Sequence, residues 1–386
     1  MSVLSSIAAL LASVVLLISG NALIAVAAPL QARVAGFADL TVGLLGSAYF
    51  SGMLGGTLGA PALIARAGHV RAFAAFVALA VASVVLMPIV PTPSAWLFFR
   101  AVTGFVFAGL YAVIEAWINA RASNANRARL YALYQIANFG ATAAGQMALR
   151  PLGPESFEPF AVSGALLALA IVPMALTRVE PPAAPRTVKP RLFWLARVAP
   201  LACLTAFAAG AANGASISLS PIFAADIGMS AENVPLFTSA IVLGSALGIF
   251  PIAAISDRMD RRLVIAVAMT FGAVLEIALA RFASPSLWIV GLGFLVGLAT
   301  YSLYTLTVSL ANDGAAPQDL IHISVGLLFI YCVAAIASPA IASVLMRDFG
   351  PQALFVQNAF VHGVVAAVAF SRVIASSRAA GRSAGL

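Results

Sequence analysis

Four ionisable side chains stand well inside long apolar runs of this sequence: Arg100, Glu115, Glu276 and His362. A charge in the middle of a membrane span costs about 2.5–3.5 kcal/mol on insertion scales, so such a group usually faces an aqueous cavity or a partner. The chemistry open to these residues is the binding of ions, protons and polar solutes. Other chemistry lacks its parts. There is no Gly-x4-Gly-Lys-Ser/Thr phosphate loop, and the sole lysine, Lys189, follows Val188, which argues against ATP hydrolysis. No His/Glu spacing of a metal site and no nucleophile motif occurs, and a membrane-embedded enzyme would need a His- or Asp-rich cluster at one surface. Cys203 and Cys332 lie within apolar runs and read as packing residues. The sequence points away from an enzyme and calls for no cofactor or metal.

The elements that carry these residues follow from composition. Of 386 residues, 62% are hydrophobic and 9% charged, against about 25% charged in a soluble domain. Mean hydropathy is +1.04. The main solvent of such a chain is the lipid bilayer. Stretches of about 20 apolar residues, enough to cross a bilayer core, fall at 6–29, 41–62, 72–90, 96–119, 128–149, 158–177, 198–221, 234–255, 263–281, 287–311, 320–343 and 352–373. A helix satisfies its own backbone groups in lipid, so twelve transmembrane helices are predicted. Ala25-Val26-Ala27 resembles a cleavage box, yet no Lys or Arg precedes Arg33. The first segment reads as a retained helix.

The net charge of +8 does not signal nucleic acid, because the basic residues sit in short loops between spans. With both termini cytoplasmic, sixteen of the Lys and Arg fall on inner loops and tail, and four (Arg33, Arg150, Arg281 and Arg347) fall outside. The positive-inside bias selects that orientation, in a bacterial inner membrane.

One long polar connector begins at Glu180-Pro181-Pro182 and ends in a basic run at Arg197. It divides the chain into a six-helix bundle (1–177), a cytoplasmic linker (178–197), a second six-helix bundle (198–373) and a cytoplasmic tail (374–386). At one constant offset, Asn21 and Pro29 fall on Asn213 and Pro221, and Gly36 on Gly228. At the same offset Gly52 falls on Gly244, Gly56 on Gly248, Arg66 on Arg258 and Trp96 on Trp288. One residue further on, Gly104, Tyr111 and Asn119 fall on Gly297, Tyr304 and Asn312. Two parallel six-helix repeats are typical of secondary transporters.

The loop Asp257-Arg258-Met259-Asp260-Arg261-Arg262 resembles the Asp-Arg-x-Gly-Arg-Arg signature of the major facilitator superfamily, with Asp260 in place of Gly. The first-half copy, Ala65-Arg66-Ala67-Gly68-His69-Val70-Arg71, keeps Arg and Gly but has Ala65 where the family has Asp. The resemblance implies a cytoplasmic gate formed by Arg66, Gly68, Arg71, Asp257, Arg258, Asp260, Arg261 and Arg262, which stabilises the state closed to the cytoplasm. A solvated loop obeying the positive-inside rule accounts for the arginines but not for Asp257. Arg100-Ala101-Val102-Thr103-Gly104 resembles the family's Arg-x-x-x-Gly motif. Glu115, then Asn126-Arg127-Ala128-Arg129-Leu130 and Gly145-Gln146, resemble the YcaD-like branch, chiefly over residues 96–150. The Gly-x-x-x-Gly-Pro pattern of many drug antiporters is missing from the fifth span.

At 100° per residue, Arg100, Gly104, Phe107, Tyr111 and Glu115 share a sector of about 80°. The cation and the carboxylate are roughly 22 Å apart along the helix, too far to pair. The tenth span repeats the glycine and tyrosine and loses both charges. Asn21, Arg100, Tyr111, Gln135, Asn138, Asn213 and Tyr304 are the expected wall of a substrate cavity, with Glu115 as the proton-coupling group. The alternatives are structural. Arg100 bonds neighbouring carbonyls, Glu115 pairs with Arg127 or Arg129, and the stripe Tyr131, Gln135, Asn138, Thr142, Gln146 joins helices. Glu276 snorkels toward Arg281, His362 is a packed polar residue, and His322 serves a helix end.

These readings converge on an all-α polytopic membrane protein of the major facilitator fold, two pseudo-symmetric bundles of six transmembrane helices. The expected activity is secondary active transport of a small molecule by alternating access, driven by protons, with export favoured by the branch resemblance. A transporter-like sensor or scaffold, and an uncoupled uniporter, are the alternatives. A monomer is expected.

Overall fold

The computed structural model describes residues 3–123, 126–176, 189–316 and 318–383. Part of the polar linker (177–188) and the last three tail residues lie outside them. Twelve long helices cross the molecule: α1 (Val3–Val34), α2 (Asp39–Ala67), α3 (His69–Ile89), α4 (Pro93–Arg121), α5 (Arg127–Met147), α6 (Glu158–Ala175), α7 (Pro200–Asp226), α8 (Asn233–Ser256), α9 (Arg261–Arg281), α10 (Leu287–Asn312), α11 (Leu320–Phe349) and α12 (Ala353–Ser383). Among the described residues there is no strand. Short helices, Leu149–Leu152 and Leu192–Val198, follow α5 and precede α7. Most helices outrun the apolar spans that announce them, and α12 continues as helix through much of the expected tail.

Eleven of the twelve are long and apolar enough to cross a membrane. The exception is α5, which has 21 residues but carries Arg127, Arg129 and the polar stripe. Its polar side must be covered by protein or face a cavity, because lipid offers it no partners. Within the first half, Ser19 Oγ of α1 donates to the Ala141 carbonyl of α5 at 3.1 Å, and Ser163 Oγ of α6 donates to the Gly20 carbonyl at 2.8 Å.

The sequence repeat has a structural cause. Gly36 and Gly228 turn the chain after α1 and α7 with φ of 77° and 85°, a region that side-chain-bearing residues avoid. Deeper in, a Cβ added at Gly52 or Gly104 would overlap the backbone carbonyl of Ala101 or Tyr49, so α2 and α4 touch backbone to backbone. In the second half Gly244 meets Phe294 and Gly297 meets Ile241, joining α8 to α10 in the same way. The repeated glycines mark two equivalent close crossings, as small residues do in membrane interfaces.

The halves meet over the far end and the middle of the molecule, where Tyr49 and Phe50 of α2 pack with Ala335 of α11. The largest apolar cluster runs through the first half and continues into the second through residues such as Phe223, Phe237, Leu279 and Phe355. These lie toward the end far from the linker. Nearer the linker, the second half has separate clusters of its own around Met269, Leu303 and Leu327. Arg33 pairs with Asp226 and Arg150 with Glu232 (3.9 Å) across the far end, where Ser239 Oγ also donates to the Ala143 carbonyl at 3.2 Å. Among the described residues, no hydrogen bond or ion pair joins the halves at the linker end.

The close crossings give a direct test. Gly104→Leu and Gly297→Leu each push a side chain into a carbonyl that cannot move aside, and each should cost at least the ~1–3 kcal/mol typical of overpacking. Gly291 of α10 has nothing within 4 Å of an added Cβ, so Gly291→Leu should melt like the unchanged protein. Thermal unfolding in detergent that ranked the three alike would refute the backbone contact.

Candidate substrate cavity

A cavity of about 340 Å³ lies between the halves, within the range of small-molecule sites. Asn21, Tyr49, Arg100 and Tyr111 line it from the first half, with Asn138, Thr142 and Gln146 from α5. Asn213, Tyr301 and Tyr331 face them from the second. Its one formally charged side chain is Arg100, and no carboxylate contributes to the wall.

Arg100 is held by aromatic stacking. Its guanidinium carbon lies 4.6 Å from the centroid of the Tyr49 ring, and only 7% of the residue is exposed. The cause is the helix crossing. Gly104, one turn along α4, rests on the Tyr49 carbonyl, which brings the arginine side chain over the ring of the same residue. Asn21 Nδ2 donates to the Tyr49 hydroxyl at 3.3 Å, fixing the ring from α1. The repeat-related Asn213 and Tyr331 of α11 line the cavity from the opposite side. Arg100 has no ion pair among the described residues, and its Nη1 is buried without a hydrogen-bond partner. A buried guanidinium that is stacked but not neutralised keeps donors that can accept an anion.

The expected wall residues divide. Asn21, Arg100, Tyr111, Asn138 and Asn213 line the cavity; Gln135 and Tyr304 do not. Gln135 lies on the same stripe of α5 but nearer the linker end, past the cavity. Regular α-helix is interrupted at Tyr301 and Ser302 of α10, so Tyr301 reaches the cavity while Tyr304 packs on Tyr331, with ring centroids 5.1 Å apart. Tyr49, Tyr301 and Tyr331 carried no charge or repeat signal. The nearest sequence cue to Tyr49 is Ser47-Ala48, repeated as Ser239-Ala240, but Tyr49 itself falls on Ile241.

Glu115 lies outside the cavity wall, exposed toward the linker end, and makes no ion pair with Arg127 or Arg129. Tyr131 instead donates to Asn119 Oδ1 at 3.0 Å. The expected snorkelling of Glu276 toward Arg281 is corrected. Glu276 turns inward and meets His362 at 2.9 Å, both residues 1% exposed, because burying a carboxylate demands a hydrogen-bonded partner.

At the linker end, Arg261 is the hub of the signature loop. It bonds Asp257 (3.1 Å), Ser256 (2.8 Å) and Asp313 (2.9 Å), tying the ends of α8, α9 and α10 together within one half. Asp260, which stands where the signature has Gly, caps α9 by accepting from the Arg262 amide at 2.8 Å. In the first half, Gly68 with φ of 81° alone separates α2 from α3. Arg66, Arg71, Arg258 and Arg262 are exposed.

The same two-part division appears in comparison with known proteins. The family pattern of the Major Facilitator Superfamily matches residues 10–200 and again 201–385. This chain belongs to the Major Facilitator Superfamily. It is 26% identical over 358 residues to the uncharacterized MFS-type transporter YcaD of Salmonella enteritidis PT4, covering 91% of this chain and 92% of the relative. The branch resemblance seen over residues 96–150 thus extends along the molecule. Among solved structures, the nucleoside transporter NupG matches with a TM-score of 0.77 at 13% identity, covering 96% of this chain and 99% of that one. A bacterial homologue of the human lysosomal transporter Spinster, in an inward-facing and occupied conformation, matches with a TM-score of 0.76 at 17% identity, covering 96% of each. The chain is accordingly a multi-pass membrane transporter of this superfamily and not an enzyme.

The stacking predicts an order of stabilities. Tyr49→Phe keeps the ring and loses the bond from Asn21, a loss of about 0.5–1.5 kcal/mol. Tyr49→Leu also removes the ring under a desolvated guanidinium, where the cation–π contact is worth about 2 kcal/mol or more. Melting temperatures should fall from the unchanged protein to Tyr49→Phe and further to Tyr49→Leu. Equal values for the two variants would show that the ring does not hold Arg100.

Proposed function

We propose that this member of the superfamily is a proton-driven secondary transporter of a small organic anion with a flat apolar body. The observation that carries the reading is Arg100: a buried cation facing the central cavity with no carboxylate against it. The tyrosines around it supply flat apolar surface and hydroxyl groups, and Asn21, Asn138 and Asn213 supply hydrogen bonds. Forked guanidinium donors suit a carboxylate, sulfonate or phosphate group.

The positive-inside bias puts the linker and both termini in the cytoplasm of a bacterial cell. On that assignment the ion pairs Arg33–Asp226 and Arg150–Glu232 seal the periplasmic end, and the cavity is reached from the cytoplasm. A substrate taken up from the cytoplasm and released on the other side fits this inward-facing arrangement and export. Arg261 and its partners act as a latch inside the second half, with the loop arginines free to meet the first half when the inner end closes. Glu115, exposed at the cytoplasmic mouth, becomes enclosed on that closure, which favours a proton on it.

The test is a thermal-shift screen of purified protein with matched anionic, neutral and cationic aromatic compounds, followed by transport in proteoliposomes under an imposed pH gradient. Anionic compounds should stabilise the protein. Arg100→Ala should abolish that shift, and Arg100→Lys should restore it in part. Glu115→Gln should remove gradient-driven accumulation while leaving counterflow. Stabilisation by neutral or cationic compounds alone, or an unaltered shift in Arg100→Ala, would overturn the anion reading. An unchanged pH profile in Glu115→Gln would remove Glu115 from the coupling.

A further inference from the structure

We propose that the buried Glu276–His362 pair is a second proton-binding site, placed behind the cavity in the C-terminal half, whose loading favours the state closed at the far end. The proposal rests on the proton-driven reading and names where that proton is stored. The pair joins α9 to α12, with His362 Nδ1 2.9 Å from Glu276 Oε2 and both side chains sealed from solvent. Its other polar atoms, Glu276 Oε1 and His362 Nε2, are buried without hydrogen-bond partners, as is Oδ1 of Asn358 one turn earlier on α12. Cohesion of two helices alone would be served as well or better by apolar side chains of similar size.

The surroundings decide which charge state the sealed pair can hold. From α7 come Ser216 and, at its two ends, Cys203 and Asp226. From α8 no titratable group faces the pair. From α10 come Tyr301 and Tyr304, and from α11 Tyr331 and Cys332. The remaining charges of α9, α11 and α12 (Arg261, Arg262, Arg281, Arg347, Asp348, Arg372, Arg378 and Arg382), with His322, stand toward helix ends. No compensating cation is therefore close. With one proton between them, a neutral histidine donates to a carboxylate and the pair is negative; with two, it is neutral overall. Apolar burial penalises the net charge, so the sealed state holds two protons.

A polar edge leads from the pair toward the cavity. Asn358, one turn from His362 on α12, donates from Nδ2 to Ser216 Oγ at 2.8 Å, and Tyr301, within electrostatic reach of Glu276 and Ser216, lines the cavity. A proton leaving the pair passes to water in the cavity along this edge once α7, α10 and α12 shift and water enters.

The chain has three histidines, so the full-length protein in lipid nanodiscs with labelled histidine permits direct titration by NMR, and His362→Gln identifies the signal. The pair should change protonation state with pH, read from the His362 signal, and Glu276→Gln should move the midpoint by at least one pH unit, about a tenfold change in proton affinity. A signal that holds one state throughout, or one indifferent to Glu276→Gln, overturns the proposal. Spin labels at Arg66→Cys and Arg258→Cys, with Cys203 and Cys332 replaced by Ser and Ala, then report the separation of the halves at the linker end. Raising pH should shift the population toward the shorter separation, by up to about tenfold in ratio per pH unit for one linked proton, and Glu276→Gln should flatten that dependence. Titration without a pH-dependent population would make the pair structural and sink the coupling role. Neither measurement needs a substrate, so failure here leaves the Arg100 reading standing, and failure of the anion screen leaves this one.

Discussion

The contact on which the rest depends is the backbone crossing of α2 with α4. Gly52 and Gly104 leave no room for a side chain between the helices, and a Cβ at Gly56 would likewise strike the carbonyl of Phe105. Such a contact is unusually informative about geometry. Two helices separated by side chains can slide by a rotamer, whereas two in backbone contact are fixed in register. That register stacks Arg100 on Tyr49. The equivalent crossing of α8 with α10 fixes the opposite wall, where the repeat puts Ile241 at the place of Tyr49 and Gly293 at the place of Arg100. One architecture, used twice, thus yields a charged wall and an uncharged one.

An isolated buried guanidinium is expensive, and the structure lowers that expense without cancelling it. Stacking on Tyr49 gives the cation a polarisable face, and the Asn21 bond keeps the ring in place. A carboxylate in the wall would neutralise Arg100 more completely, but it would occupy donors that now face the cavity. The second half settles its own buried charge in the opposite manner, with Glu276 and His362 facing each other away from the cavity. Polar groups of the two halves are accordingly arranged for different tasks, one open to a solute and one closed on itself.

Much of the fold was legible because lipid simplifies it. Apolar run length and the paired glycines are one-dimensional signals of spans and crossings. The cavity was legible where a residue is costly in lipid, as with Arg100, or repeated, as with Asn21 and Asn213. It was not legible where the signal depends on three dimensions. Tyr49 and Tyr331 carry no mark in the sequence and gain their role from the helices that hold their partners. Tyr304 inherited a place by repeat symmetry that the interruption of α10 at Tyr301 and Ser302 gives to Tyr301. Glu276 and His362 lie 86 residues apart, and only the packing of α9 on α12 makes them a pair.

The seal at the far end shows how such a molecule can move. Its ion pairs, Arg33–Asp226 and Arg150–Glu232, involve partly or largely exposed side chains, and exposed pairs contribute about 0–1 kcal/mol each. The hydrogen bond from Ser239 to the Ala143 carbonyl adds a contribution of similar size. Glycine-on-carbonyl crossings hold α2 to α4 and α8 to α10 within the halves, and Gly43 of α2 also abuts the Pro339 carbonyl of α11 across them. Alternating access requires two states within a few kcal/mol of each other, so that a bound solute can shift the balance. Rigid halves whose polar links to each other are weak meet that requirement: the crossings keep each bundle intact while the seal between them opens.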